Sequence, residues 1–78
     1  MQLIDAEHSG HEFFEHDGRY FLRVECGTTA VFDLTVELTP DEVTTYLSDG
    51  IDVVRTLAGR IRFDPSSYSD RHLPEIPS

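Results

Sequence analysis

The sequence predicts an α+β domain in the order β-β-β-α. It reads as a three-stranded antiparallel β-meander, one long C-terminal amphipathic helix packed on one face, and an irregular tail. Three observations predict this. Asp17-Gly18 separates two runs of alternating polarity, and this dipeptide is the strongest short hairpin signal because a type I′ turn needs positive φ at both central residues. Residues 11–38 alternate apolar and polar side chains, the period of a strand with one buried face. From residue 40 the apolar spacing changes to alternating steps of four and three, the period of a helix with one buried face.

The elements follow in order. Residues 1–10 are polar and weakly patterned, with Leu3 and Ile4 as their large apolar pair, and receive no element. Strands are expected over about 11–16, 19–26 and 30–38. A two-residue turn at Asp17-Gly18 pairs His16 with Arg19, Phe14 with Phe21, and Glu12 with Arg23. On the opposite face it pairs Glu15 with Tyr20, Phe13 with Leu22, and His11 with Val24. A three-residue loop over residues 27–29 would pair Cys26 with Ala30, Val24 with Phe32, Leu22 with Leu34 and Tyr20 with Val36. A two-residue loop scrambles the faces and is rejected, because register follows the face that is buried. One face then carries Phe13, Tyr20, Leu22, Val24, Phe32, Leu34, Val36 and Leu38. The other carries two charge rows, Glu12–Arg23–Asp33 and His16–Arg19–Glu37, each cross-strand pair contributing about 0.2–1 kcal/mol.

The helix is expected over about 40–63. Thr39-Pro40-Asp41-Glu42 is a capping box with proline at the first helical position. Val43, Leu47, Gly50, Val54, Leu57 and Ile61 form the buried stripe, widened by Tyr46, Ile51 and Ala58. Gly50 lies on that stripe and is read as a close crossing of helix over strand. Asp64-Pro65 ends the helix, since the residue before proline avoids the α region. Residues 64–78 hold three of the four prolines and four serines and form the tail. The domain is thus residues 1–63.

Composition narrows the function. The 78 residues allow one domain. Fifteen acidic residues face six cations, all of them arginine, for a net charge of −9. That balance argues against nucleic acid, which needs a basic face to neutralise phosphates, and against anionic membrane surfaces. The N-terminus lacks the basic and long apolar regions of a signal peptide, and the chain is expected to be cytoplasmic. A lone cysteine, Cys26, forms no intrachain disulfide framework and is read as a small buried strand residue.

No constellation points to catalysis. There is no Gly-rich phosphate loop and no recognisable nucleophile motif. His8, His11 and His16, with Glu7, Glu12, Glu15 and Asp17, are rich in ligand types, but their spacing matches no closed zinc pattern. Strand alternation also puts His11 and His16 on opposite faces. These residues are read as hydrated strand and loop residues, with a buried hydrogen-bonded histidine as the alternative for His11 on the inner face. No enzyme, cofactor or metal is expected.

Two features suggest protein binding. The register places Phe14 and Phe21 opposite each other on the outer sheet face, among Arg19, Arg23, Glu12, Asp33 and Glu37. An exposed cross-strand aromatic pair with nearby arginine has the composition of an interface anchor. It would be covered by the tail through Tyr68, Leu73 or Ile76, by a second copy in a homodimer, or by a partner. The helix also presents an acidic outer face of Asp41, Thr44, Thr45, Ser48, Asp49 and Asp52, suited to steering a basic partner. The expectation is a small acidic protein that binds another protein, as an adaptor or as an immunity or antidote protein masking a basic toxin. The alternative is a homo-oligomeric accessory domain without a ligand.

Overall fold

The computed structural model describes residues 2–6, 10–27 and 31–74. The class is α+β, with an antiparallel sheet of four strands in the order β1-β2-β3-β4. The strands are β1 (Gln2–Ala6), β2 (His11–His16), β3 (Arg19–Cys26) and β4 (Phe32–Glu37), followed by helices α1 (Pro40–Asp49) and α2 (Ile51–Phe63). A 3-10 segment, Pro65–Arg71, completes the described chain before His72 bridges to β4.

The first hairpin has the expected register at every pair, including Phe14 opposite Phe21 and Glu12 opposite Arg23. Its turn places Asp17 at φ 53° and Gly18 at φ 79°, as a type I′ turn requires. The Glu15 carboxylate accepts from the Gly18 amide at 2.7 Å.

The second hairpin corrects the expectation. Cys26 lies opposite Phe32, Val24 opposite Leu34, Leu22 opposite Val36, and Arg23 opposite Thr35. The register has slipped by two residues from the expected one, so the connection is longer; Ala30, the expected partner of Cys26, lies outside the described residues. A two-residue slip keeps every side chain on its face, because the strand period is two. Apolar alternation therefore could not detect it, and the charge rows chose the shorter loop. In the observed register Leu34, Val36 and Leu38 are buried, at 4%, 0% and 4% exposure, while Phe32 is left 48% exposed at the strand's start. Side-chain burial outweighs a surface ion pair of at most about 1 kcal/mol.

Residues 2–6 are a strand rather than an unassigned segment. β1 pairs with β2 through Leu3 opposite Phe14 and Asp5 opposite Phe13, with a bulge at Ile4. The bulge interrupts alternation, which hid the strand in the sequence.

The long helix is broken. Gly50 adopts φ 94°, ψ −169°, and its amide donates to the Tyr46 carbonyl at 2.8 Å, closing α1. A Cβ at Gly50 would meet nothing within 4 Å, so the glycine serves the backbone conformation and not a close crossing. The break rotates the stripe. Val54, Leu57, Ala58 and Ile61 of α2 are buried, whereas α1 buries no residue fully and Leu47 is 67% exposed. Val43, Tyr46 and Ile51 pack partly against the core.

The core lies between the inner sheet face and α2: Phe13, Leu22, Val24, Cys26, Leu34, Val36 and Leu38 meet Val54, Leu57, Ala58 and Ile61. Tyr46 sits edge-on to Phe13 at 5.1 Å and to Tyr20 at 5.6 Å between ring centroids. No helix of the described residues is long and apolar enough to cross a membrane.

Within the segment read as an irregular tail, Pro65–Arg71 forms a 3-10 helix. Ser66 and Ser67 hydroxyls donate to the Asp64 carboxylate at 2.8 and 2.6 Å, starting the 3-10 turn. Tyr68 joins the core from its edge. The Leu73 amide then donates to the Thr35 carbonyl at 2.8 Å, and the Thr35 amide donates to His72 Nδ1 at 3.2 Å. This segment satisfies the outer edge of β4, which would otherwise present unpaired backbone groups.

Candidate functional site

Outer sheet face. The structure brings Phe14, Phe21, Arg19, Arg23, Glu12 and Glu37 together and separates Asp33 from them. Phe21 lies directly opposite both Phe14 and Glu37. Arg23 pairs with Glu12 at 3.0 Å. Arg19 reaches diagonally to Glu37 with two contacts, Nε at 2.9 Å and Nη2 at 2.6 Å. This bidentate contact holds the Glu37 carboxyl below its usual value. Asp33 faces Glu25 instead of Arg23, a like-charge juxtaposition that favours neither residue.

The aromatic pair is less open than the pattern suggested. Phe21 is fully buried and Phe14 is half-buried. The Arg19 guanidinium lies over the Phe21 ring at 5.2 Å, and that of Arg23 lies over the Phe14 ring at 5.3 Å. Each arginine thus donates to a carboxylate, Arg19 through two nitrogens and Arg23 through one, while its face lies over a ring, a combination open to a planar guanidinium. Tyr68 packs on the core instead of supplying the expected cover, and the half-buried Leu73 is held by its amide to the Thr35 carbonyl of β4. Ile76 lies outside the described residues. The neighbouring Leu3 of β1, opposite Phe14, is 51% exposed.

Inner sheet edge. His11 is buried, as its inward position suggested, and its Nε2 lies 2.9 Å from Asp5 Oδ2. Asp5 also accepts from Arg55 of α2, at 3.2 and 3.4 Å. Arg55 foremost, and His11 next, hold the Asp5 carboxyl below the usual aspartate value. Three elements, β1, β2 and α2, are tied together at this point. Among the described residues no group of three or more His, Cys, Asp or Glu is arranged to hold a metal ion. Cys26 is 1% exposed, and burial pushes its thiol upward, away from the thiolate that reactivity needs.

Helical face. The capping box is formed: the Thr39 hydroxyl accepts from the Glu42 amide at 3.2 Å, and Glu42 Oε1 accepts from the Thr39 amide at 2.8 Å. Arg71, from the 3-10 segment, grips the same Glu42 carboxylate at 2.6 and 3.2 Å and donates to the Glu37 carbonyl at 2.9 Å. Burial pushes the Glu42 carboxyl up, but the Arg71 and Thr39 contacts together bring it below its usual value.

Between α1 and α2 lies a groove of about 440 Å³. Buried Leu57 and half-buried Val53 form its base, and exposed Asp41 and Asp52 stand on its walls with Arg60. The acidic residues were visible in the sequence as a helix face. The concavity was not, because it exists only where Gly50 turns one helix against the other. A glycine on a helical stripe followed by a fresh acidic first turn, Asp52, was the available signal.

Comparison with protein-family models, with curated proteins and with solved structures gave no match.

Proposed function

We propose that the protein acts by binding another protein, one that presents a basic surface. One observation carries this reading. Four of the six arginines are engaged within the fold by carboxylates: Arg19 by Glu37, Arg23 by Glu12, Arg55 by Asp5, and Arg71 by Glu42. The chain's cations are consumed largely by its own architecture, and exposed Asp41, Asp49 and Asp52 on the helices are left without an arginine partner among the described residues. An excess of nine negative charges displayed in this way raises the association rate of a basic partner and repels acidic ones. Masking a basic toxin, as an immunity or antidote protein does, and bridging as a cytoplasmic adaptor are both uses of such a surface.

A second reading, self-association as an accessory domain, is favoured by exposed apolar side chains: Phe63 at 92%, Val31 at 62% and Leu3 at 51%. The two readings separate in one experiment, recovery of bound proteins from the native host followed by sizing of the purified chain across a concentration series. The proposal expects a basic partner whose association weakens as salt rises, and a chain of constant size. Elution that shifts with concentration, with no foreign partner recovered, would replace it with self-association.

A further inference from the structure

We infer that the groove between α1 and α2 is the docking site for a basic amphipathic helix of the partner; this rests on the protein-binding reading above.

The groove has the two components that helix recognition requires, an apolar base and a charged rim. The base is Val53 and Leu57, and the volume of about 440 Å³ falls within the range of about 300–1,000 Å³ typical of binding clefts. It is large enough to receive an aliphatic anchor side chain. The rim is asymmetric. Glu42 is neutralised within the fold by Arg71, whereas Asp41 and Asp52 are exposed and face the groove with no arginine of their own. They are the positions at which lysine or arginine of an incoming helix, one turn either side of its anchor, gains a partner. Arg60, also lining the groove, offers a counter-charge to one acidic residue of the ligand and so fixes its orientation.

Charge decides the class of occupant. A second copy of this chain would bring a further nine negative charges toward a rim that already carries unneutralised carboxylates. A basic helix removes that repulsion and buries apolar surface in the same act. α1 is suited to adjust on binding, since it buries no residue fully of its own and is braced instead by the Arg71–Glu42 contact.

The test uses a labelled peptide of leucine and lysine, about five helical turns long, with a leucine–glutamate peptide of equal length as its counterpart. Binding to the full chain is followed by fluorescence anisotropy. The lysine peptide should bind and the glutamate peptide should not. Asp41→Asn with Asp52→Asn should weaken binding about tenfold or more, equivalent to about 1.4 kcal/mol. Asp33→Asn with Asp70→Asn removes the same charge from elsewhere and should weaken it no more than about threefold. Val53→Ser, which leaves the charge unchanged, should weaken binding about fivefold or more by removing apolar base. Circular dichroism confirms that each variant keeps its helices. Equal losses in the two double variants, or an unaffected Val53→Ser, would overturn the groove while leaving the basic-partner reading in place. Failure of the lysine peptide to bind, or equal binding of both peptides, would overturn both.

Discussion

α1 and α2 are adjacent and of similar length, yet they are held by different forces. α2 inserts Val54, Leu57, Ala58 and Ile61 into the core. α1 buries no residue fully and depends on its termini: the Thr39–Glu42 box, Pro40 at its start, the Gly50 cap at its end, and the Arg71 clamp from outside. Packing is non-directional and scales with the apolar area removed from water. Caps and ion pairs are directional, and each is worth only about 1 kcal/mol. α2 is therefore part of the cooperative core. α1 belongs to the class of elements that open locally at lower cost, and the candidate groove lies where the two meet.

The contrast is broken most severely from the α2 side. Ile61→Ala should destabilise the chain by about 2–5 kcal/mol, because Ile61 is fully buried and its removal leaves a cavity under the sheet. Leu47→Ala in α1 should stay within about 0.5 kcal/mol, since Leu47 lies mostly in water. A urea series on both variants checks this, and comparable losses would mean that α1 packs as tightly as α2.

The two helical glycines sharpen it. Gly50 occupies φ 94°, ψ −169°, a region open essentially to glycine alone, so Gly50→Ala should cost about 1–3 kcal/mol despite open space around a Cβ. Gly59 lies inside α2 with equally open space. Gly59→Ala should therefore stabilise by about 0.5–1 kcal/mol, through lower unfolded-chain entropy. Thermal melting of the pair checks the opposite signs.

A modest effect falls on the cap. Thr39→Ala should destabilise by about 1 kcal/mol. Acid should act on the same motif. The Glu42 carboxyl is held below its usual 4.5 in the folded chain, so the unfolded chain takes up the proton first as pH falls. The stability that Glu42 contributes is complete above its unfolded pKa and is lost as pH falls through the folded value. Glu42→Gln should flatten the acid limb of a stability–pH curve, while Asp5 and Glu37, depressed by Arg55 and Arg19, retain the rest of the slope. An unchanged limb would place the coupling elsewhere.

Much of the candidate surface was legible as composition but not as shape. Arg23 with Glu12 and Arg19 with Glu37 were readable as complementary pairs, and both form. Arg23 with Asp33 was equally attractive as a pair and does not form, because a ladder slip of two residues changes the partner without changing the face. Phe14 and Phe21 were correctly registered, but the arginines that lie over their rings were not foreseen. A guanidinium lying over each ring depends on rotamers that alternation does not encode. The acidic residues of the helix were visible. That Asp41 and Asp52 overlook an apolar groove was not, because that depends on the angle introduced at Gly50.

Sequence alone determined the features set by local chemistry. The Asp17-Gly18 turn has the positive φ its type demands, the capping box starts α1 at Pro40, Asp64-Pro65 ends α2, and the first hairpin takes its register from a two-residue turn that permits no other. Only the tertiary structure decided the features set by competition between distant segments. β1 exists because the β2 edge and the Asp5–His11–Arg55 contact hold it. The slip in β4 leaves Leu34, Val36 and Leu38 together in the core, and the break at Gly50 lets α2 follow the core while α1 buries no residue fully. Turns and caps are specified within about four residues by φ preference and hydrogen-bond reach. Register across a longer loop and the path of a helix over a sheet are specified by total apolar burial, which is summed over the whole molecule and is written in no single segment.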